Sequence, residues 1–226
     1  MKKSKALLLA LCAAALSVGV TFGTMAYLTD TEAVTNTFTV GQVHISLDEA
    51  DVDDTDKDGN TTERDKTNEY HLIPGQTYIK DPIVHVRADS ESSWVFVKVE
   101  NGISDIEAAT EATATGYKSI ADQISVNDWT PLDGVTNVFY KKWEKPTAAV
   151  DDDYYDLAVF QNFKVDGEKT VNVEEGKTAP AGKYDIADYG NAQIVVTAYA
   201  IQAAGFENNV SGAWAAFVDQ NADLFR

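Results

Sequence analysis

Cysteine is almost missing from this chain: its 226 residues include one, Cys12. A lone thiol closes no intrachain disulfide, so the fold must be held by its core rather than by covalent staples. Methionine occurs only at Met1 and Met25. Histidine occurs three times, at His44, His71 and His85, with no H-E-x-x-H among them. Zinc catalysis needs three converging protein ligands and an open position, and this spacing supplies no such set, so the three read as ordinary surface histidines. There is no G-x-S-x-G either, which leaves the scattered serines without a nucleophile elbow. Basic side chains are few, 18 against 36 acidic ones, for a net charge of −18. That balance opposes nucleic acid and anionic membrane as partners and suits a protein that holds cations.

Long apolar runs are missing too, except at the start. Lys2, Lys3 and Lys5 form a basic n-region, and Ala6 to Val20 is apolar apart from Ser17 and Gly19. This is shorter than the roughly 20 residues that span a bilayer comfortably. Small residues then lead to Thr24-Met25-Ala26. The order is that of a secretory signal peptide, 1–26, cut after Ala26. An uncleaved anchor is the rival reading, because the uncharged run from Ala6 to Thr29 is just long enough to span. Leu11 before Cys12 is too large for a lipobox. Cleavage takes three of the 18 basic residues and none of the 36 acidic ones, so the net charge moves from −18 to −21. It also takes the cysteine and both methionines. About 200 residues remain, enough for one domain with a sizeable core. The expectation is a secreted protein with no stable membrane anchor after cleavage.

What the mature part does have is strand pattern. "TFTVGQVHISL" (37–47) alternates around Gly41; "TYIKDPIVHVRA" (77–88) and "SWVFVKVEN" (93–101) read as a pair joined by the polar turn "DSES". "NVFYKKWE" (137–144), "LAVFQNFKV" (157–165) and "AQIVVTAYAIQA" (192–203) are further strands, rich in β-branched and aromatic residues. Helical period is confined to 116–127, with Tyr117, Ile120 and Ile124 on one face, and 212–221, with Trp214 and Phe217 on one face. The fold class is all-β, an antiparallel sandwich with one or two short helices. Trp94, Phe96, Trp129, Tyr140, Trp143, Phe160, Phe163 and Tyr199 read as core and sheet-face packing, with a carbohydrate platform as the alternative use.

The sharpest local motif is "DTDKDGNTTERD". Asp54, Asp56 and Asp58 stand at loop positions 1, 3 and 5, Gly59 at 6, Asn60 at 7 and Asp65 at 12. Alternate carboxylates converge on a hard cation while glycine allows the sharp turn, so this is the first half of a calcium loop. Asp65 is shorter than the usual glutamate at position 12, and the flanks are not helical, so a true EF-hand is not expected. Calcium is the one cofactor the sequence points to, and a solvated acidic loop is the plainer alternative. "NTT" at Asn60 and "NVS" at Asn209 fit a glycosylation pattern short enough to arise by chance.

Four features in order resemble one known family: a leader ending "GTMA", then "AYLTDTEAVTNTFTVGQVHISL", then "LIPGQTYIKDPIVHV" with "SSWVFVKV", and last "AQIVVTAYAIQA". Together they resemble the TasA/camelysin family of secreted bacterial biofilm-matrix fibre proteins; the L-x-P-G turn before a strand, here Leu72, Pro74 and Gly75, is the second match after the junction, and the middle, 102–190, matches loosely. The resemblance implies a jelly-roll form of the sandwich over 37–226, export through a dedicated signal peptidase, and location in the extracellular matrix or on the cell surface of a bacterium. It further implies assembly with copies of itself, the freed segment 27–36 adding a strand to the next subunit. Tyr27, Leu28, Val34 and Phe38 are the apolar anchors of that donor strand. Cleavage creates the free β-capable end that strand addition requires. The expected function is therefore structural rather than enzymatic. The rivals are a secreted metallo-endopeptidase, as some family members are labelled, and a monomeric module binding calcium or polysaccharide.

Overall fold

The computed structural model describes residues 42–52, 64–147, 153–174 and 176–225. The expected signal peptide, the segment 27–36 with Tyr27, Leu28 and Val34, and Phe38 lie outside the described residues, as do Asp54, Asp56, Asp58 and Asn60. Twelve strands are described: β1 (Ile45–Ala50), β2 (Arg64–Asp65), β3 (Thr77–Ile79), β4 (Ile83–Arg87), β5 (Ser93–Asn101), β6 (Thr130–Pro131), β7 (Val138–Trp143), β8 (Tyr154–Ala158), β9 (Asn162–Lys164), β10 (Thr170–Val171), β11 (Tyr184–Asp185) and β12 (Ile194–Gln202). Two α-helices join them, α1 (Ile120–Val126) and α2 (Val210–Gln220).

Two four-stranded antiparallel sheets, in the orders β2-β1-β4-β8 and β12-β5-β7-β6, form the body. Alternation decides what each contributes. In β4, Val84 and Val86 are buried, while Ile83, His85 and Arg87 take the other face. Val95, Val97 and Val99 of β5 meet Val84 and Val86 in one core, joined by Phe160 and Phe163. The opposite face of β5 is buried as well: Trp94 and Phe96 pack with Ala213 and Trp214 of α2. A strand covered on both faces reads as a near-continuous apolar run, and "SWVFVKV" is one. The layers are thus sheet, sheet and helix, and the all-β sandwich expected from the sequence is borne out. The short β10–β11 ladder is parallel.

Three sequence expectations need correction. Strands 77–88 and 93–101 do not pair. β4 pairs with β1 and β8, and β5 with β12 and β7, so "DSES" crosses from one sheet to the other. The reason is polarity: β4 keeps one polar face for solvent, whereas β5 needs cover on both. The runs 77–88 and 157–165 each split in two, and at matching points. Pro82 has no N–H to give to a ladder. Backbone bonds from Lys80 N to Gln161 O (3.2 Å) and from Val159 N to Pro82 O (2.9 Å) hold the two bends together. The ribbon therefore continues as β3–β9 and sends Val159 and Phe160, consecutive residues, into the core.

Both expected helices are present. Ser119 caps α1 by accepting from Asp122 N at 3.3 Å, which starts the helix later than its apolar pattern does. Asn209, the sequon residue, caps α2 by accepting from Gly212 N at 2.9 Å.

Candidate functional site

Among the described residues no ladder joins the two sheets on the side where β1 and β12 face each other. β12 pairs with β5 on one edge, and no described strand takes its other edge. On the facing sheet, β2 pairs only with Glu49 and Ala50 of β1, so Ile45–Asp48 lack a strand partner on that side among the described residues. Between these edges lies a groove of about 1470 Å³. Leu47 of β1, Leu72 and Ile73 from the turn before β3, Ile186 and then Ile194, Val195 and Val196 of β12 give it an apolar lining. Ile73 and Val195 are 48% and 40% exposed, high for large apolar side chains.

The turn that contributes Ile73 is the "L-x-P-G" element. Gln76 N donates to Ile73 O at 3.1 Å across Pro74 and Gly75, and Gly75 has φ of 82°. Proline at the second position and a positive-φ glycine at the third make a type II turn. Tyr78 secures it by donating its hydroxyl to His71 O (2.6 Å) and accepting from Ile73 N (2.7 Å).

Polar groups fix the groove's other wall. Lys80 Nζ lies 2.5 Å from Glu49 Oε2, and both residues are buried. Asn68 donates to Glu49 Oε1 and Ala50 O, each at 3.0 Å, and accepts from Val52 N at 2.8 Å. Arg64 binds the Asp48 carboxylate and reaches Asp81 Oδ2 at 3.3 Å; Asp81 Oδ1 in turn accepts from Ala50 N at 2.6 Å. This network clasps the two stems of the acidic loop, with Ala50 opposite Arg64 and Glu49 opposite Asp65.

Asp65, alone among the expected calcium ligands, is described. It is half-buried in β2, and its carboxylate accepts from Lys66 N at 2.5 Å. The described flanks of the loop are strands. The three histidines are not brought together. His44 is exposed and meets Gln42, and His71 is exposed before the turn. His85 is half-buried between two carboxylates, Asp156 Oδ1 at 2.5 Å from Nδ1 and Asp48 Oδ1 at 2.9 Å from Nε2. Among the described residues no group of three or more His, Cys, Asp or Glu is placed to hold a metal ion. Of the aromatics named from the sequence, Trp94, Phe96, Trp129, Trp143, Phe160 and Phe163 are buried, and Tyr140 and Tyr199 pack against the α2 side. They pack in the core and on the sheet faces, as expected. Sequence reasoning missed the groove and the His85 cluster, because both join residues far apart in the chain.

Residues 2–69 match the family model described as camelysin metallo-endopeptidase. The resemblance to the TasA/camelysin family is therefore supported at family level, on the part of the chain that runs from the leader through β1 and the acidic loop to β2. No curated protein and no solved structure matches the chain.

Proposed function

We propose that this relative of the camelysins is a secreted structural subunit of extracellular matrix fibres, joined by N-terminal strand exchange. In this reading a dedicated signal peptidase frees Tyr27, and the segment from Tyr27 to Phe38 enters the groove of the next copy. The observation that carries it is the β12 edge, which no described strand takes, beside a groove with one apolar and one polar wall. A bare edge of nine residues is an aggregation hazard unless something is meant to pair with it. The dimensions allow it: at roughly 3.3 Å per residue, nine residues of β12 run about 30 Å and the twelve residues from Tyr27 to Phe38 about 40 Å, enough to span the edge. Main-chain bonds to the edge would supply affinity, and Tyr27, Leu28, Val34 and Phe38 would fill the lining.

The test is electron microscopy and analytical ultracentrifugation of the mature chain with and without residues 27–36. Filaments are expected from the intact chain and a folded monomer from the deletion. Filaments that form equally well without 27–36 would reject strand exchange.

The family description also names a metallo-endopeptidase, and that reading has its own check. Proteolysis by the purified chain that is abolished by a chelator and by substitution of the histidines would favour it.

A further inference from the structure

His85 lies in the middle of three strands. Directly across from it stand Ser46 on β1 and Asp156 on β8, with Asp48 two residues further along β1. The Tyr154 ring stands edge-on at 6.3 Å. On its own strand the nearest charge is Arg87, which is paired with Asp89 at 3.0 Å. From β2, Arg64 reaches it only through Asp48, and Asp81 holds Arg64 in place. Both ring nitrogens of His85 therefore face carboxylate oxygens. Only an imidazolium donates from both; a neutral ring has one N–H and turns a lone pair toward the other carboxylate.

Asp48 is also a wall of the groove, between Leu47 and Glu49. We propose that His85 is a proton-operated staple that binds β1 and β8 to β4 and holds the β1 wall of the groove in its strand-accepting arrangement. The proposal rests on the groove reading above and adds its regulation: mild acid favours assembly.

The electrostatics run the same way. Burial of the ring opposes its charge, but the hydrogen bonds and fields of Asp48 and Asp156 outweigh that and hold His85 above its ordinary value of 6.5. Burial likewise opposes the Asp48 charge, and the bonds from Arg64 and His85 outweigh it, so Asp48 lies below its ordinary 3.8. A raised histidine contributes stability that is whole below about pH 6.5 and is lost as pH rises through the folded-state value. A lowered aspartate contributes stability above about pH 3.8 that is lost as pH falls through its own folded-state value. The staple is therefore strongest between about pH 4 and 6.5.

The thermal midpoint of the mature chain, followed from pH 5 to 9, tests this against His85→Gln, which cannot donate on both sides. The wild type is expected to hold an advantage of about 2–4 °C at pH 5–6, fading as the pH rises past the histidine titration. Parallel profiles overturn the staple. Should His85→Gln fail to fold, NMR titration of His85 in the wild type and in Asp156→Asn decides. A wild-type midpoint below 6.5, or one unmoved by Asp156→Asn, overturns it equally. Light scattering then reads the regulation: assembly several-fold faster at pH 6 than at pH 8 for wild type, and a clearly smaller change for His85→Gln. Equal pH dependence in both chains overturns the link to the groove. A sound stability profile with no filaments at any pH rejects the assembly reading while leaving the staple in place.

Discussion

Gly75 carries a φ of 82°, a conformation that an L side chain enters only at a cost of roughly 1–2 kcal/mol. Its backbone is also in close use: Gly75 N donates to Val165 O at 3.0 Å, and a Cβ built on Gly167 would come within 3.1 Å of Gly75. Gly75→Ala should lower unfolding free energy in urea by about 1–2 kcal/mol. An unchanged midpoint would mean that the turn is not the constraint it looks. This residue was legible in advance, because proline followed by glycine before a strand pattern states its turn chemistry locally. His85 was not. In sequence it is one more outward position of an alternating strand, and nothing nearby marks Asp48 or Asp156 as its partners. The buried Glu49–Lys80 pair is of the same kind: two charged residues 31 positions apart, brought together only by the fold.

At the scale of elements, β12 is the strand whose two edges differ most. One edge is fully laddered to β5, residue by residue from Ile194 opposite Asn101 to Gln202 opposite Ser93. The other fronts the groove. Val195 lies there opposite Glu100, so a lysine in its place gains a cross-strand partner while setting a charge at the groove's mouth. Val195→Lys is expected to change stability by no more than about 0.5 kcal/mol and to slow filament growth several-fold. Growth at the wild-type rate would remove β12 from the acceptor. The strand itself was evident from "IVVTAYAI". That no described strand takes its other edge was not, because pairing depends on which strands the fold brings alongside.

For the whole molecule the governing number is charge. The chain carries −18, or −21 if the leader is cut as proposed, and the proposed assembly would work against that field. Raising salt from 0.01 to 0.15 M shortens the screening length from about 30 to about 8 Å. Scattering half-times for assembly should fall several-fold over that range, and salt-independent growth would count against contact between like-charged subunits. Calcium at matched ionic strength separates screening from a bound ion. If Asp54, Asp56, Asp58, Asn60 and Asp65 hold calcium, the wild type gives a calorimetric signal that Asp56→Ala loses.

The fold class, the acidic balance, the turn at Pro74–Gly75 and both helices were legible in the sequence alone. Each of these is written in local period, composition or a dipeptide's allowed backbone. Tertiary structure alone decided that β4 and β5 part company, that β3–β9 and β4–β8 bend as one ribbon, and where the groove and the His85 cluster stand. Those depend on contacts between residues tens of positions apart, and a pattern of period two says which face a side chain takes but not which strand will lie beside it.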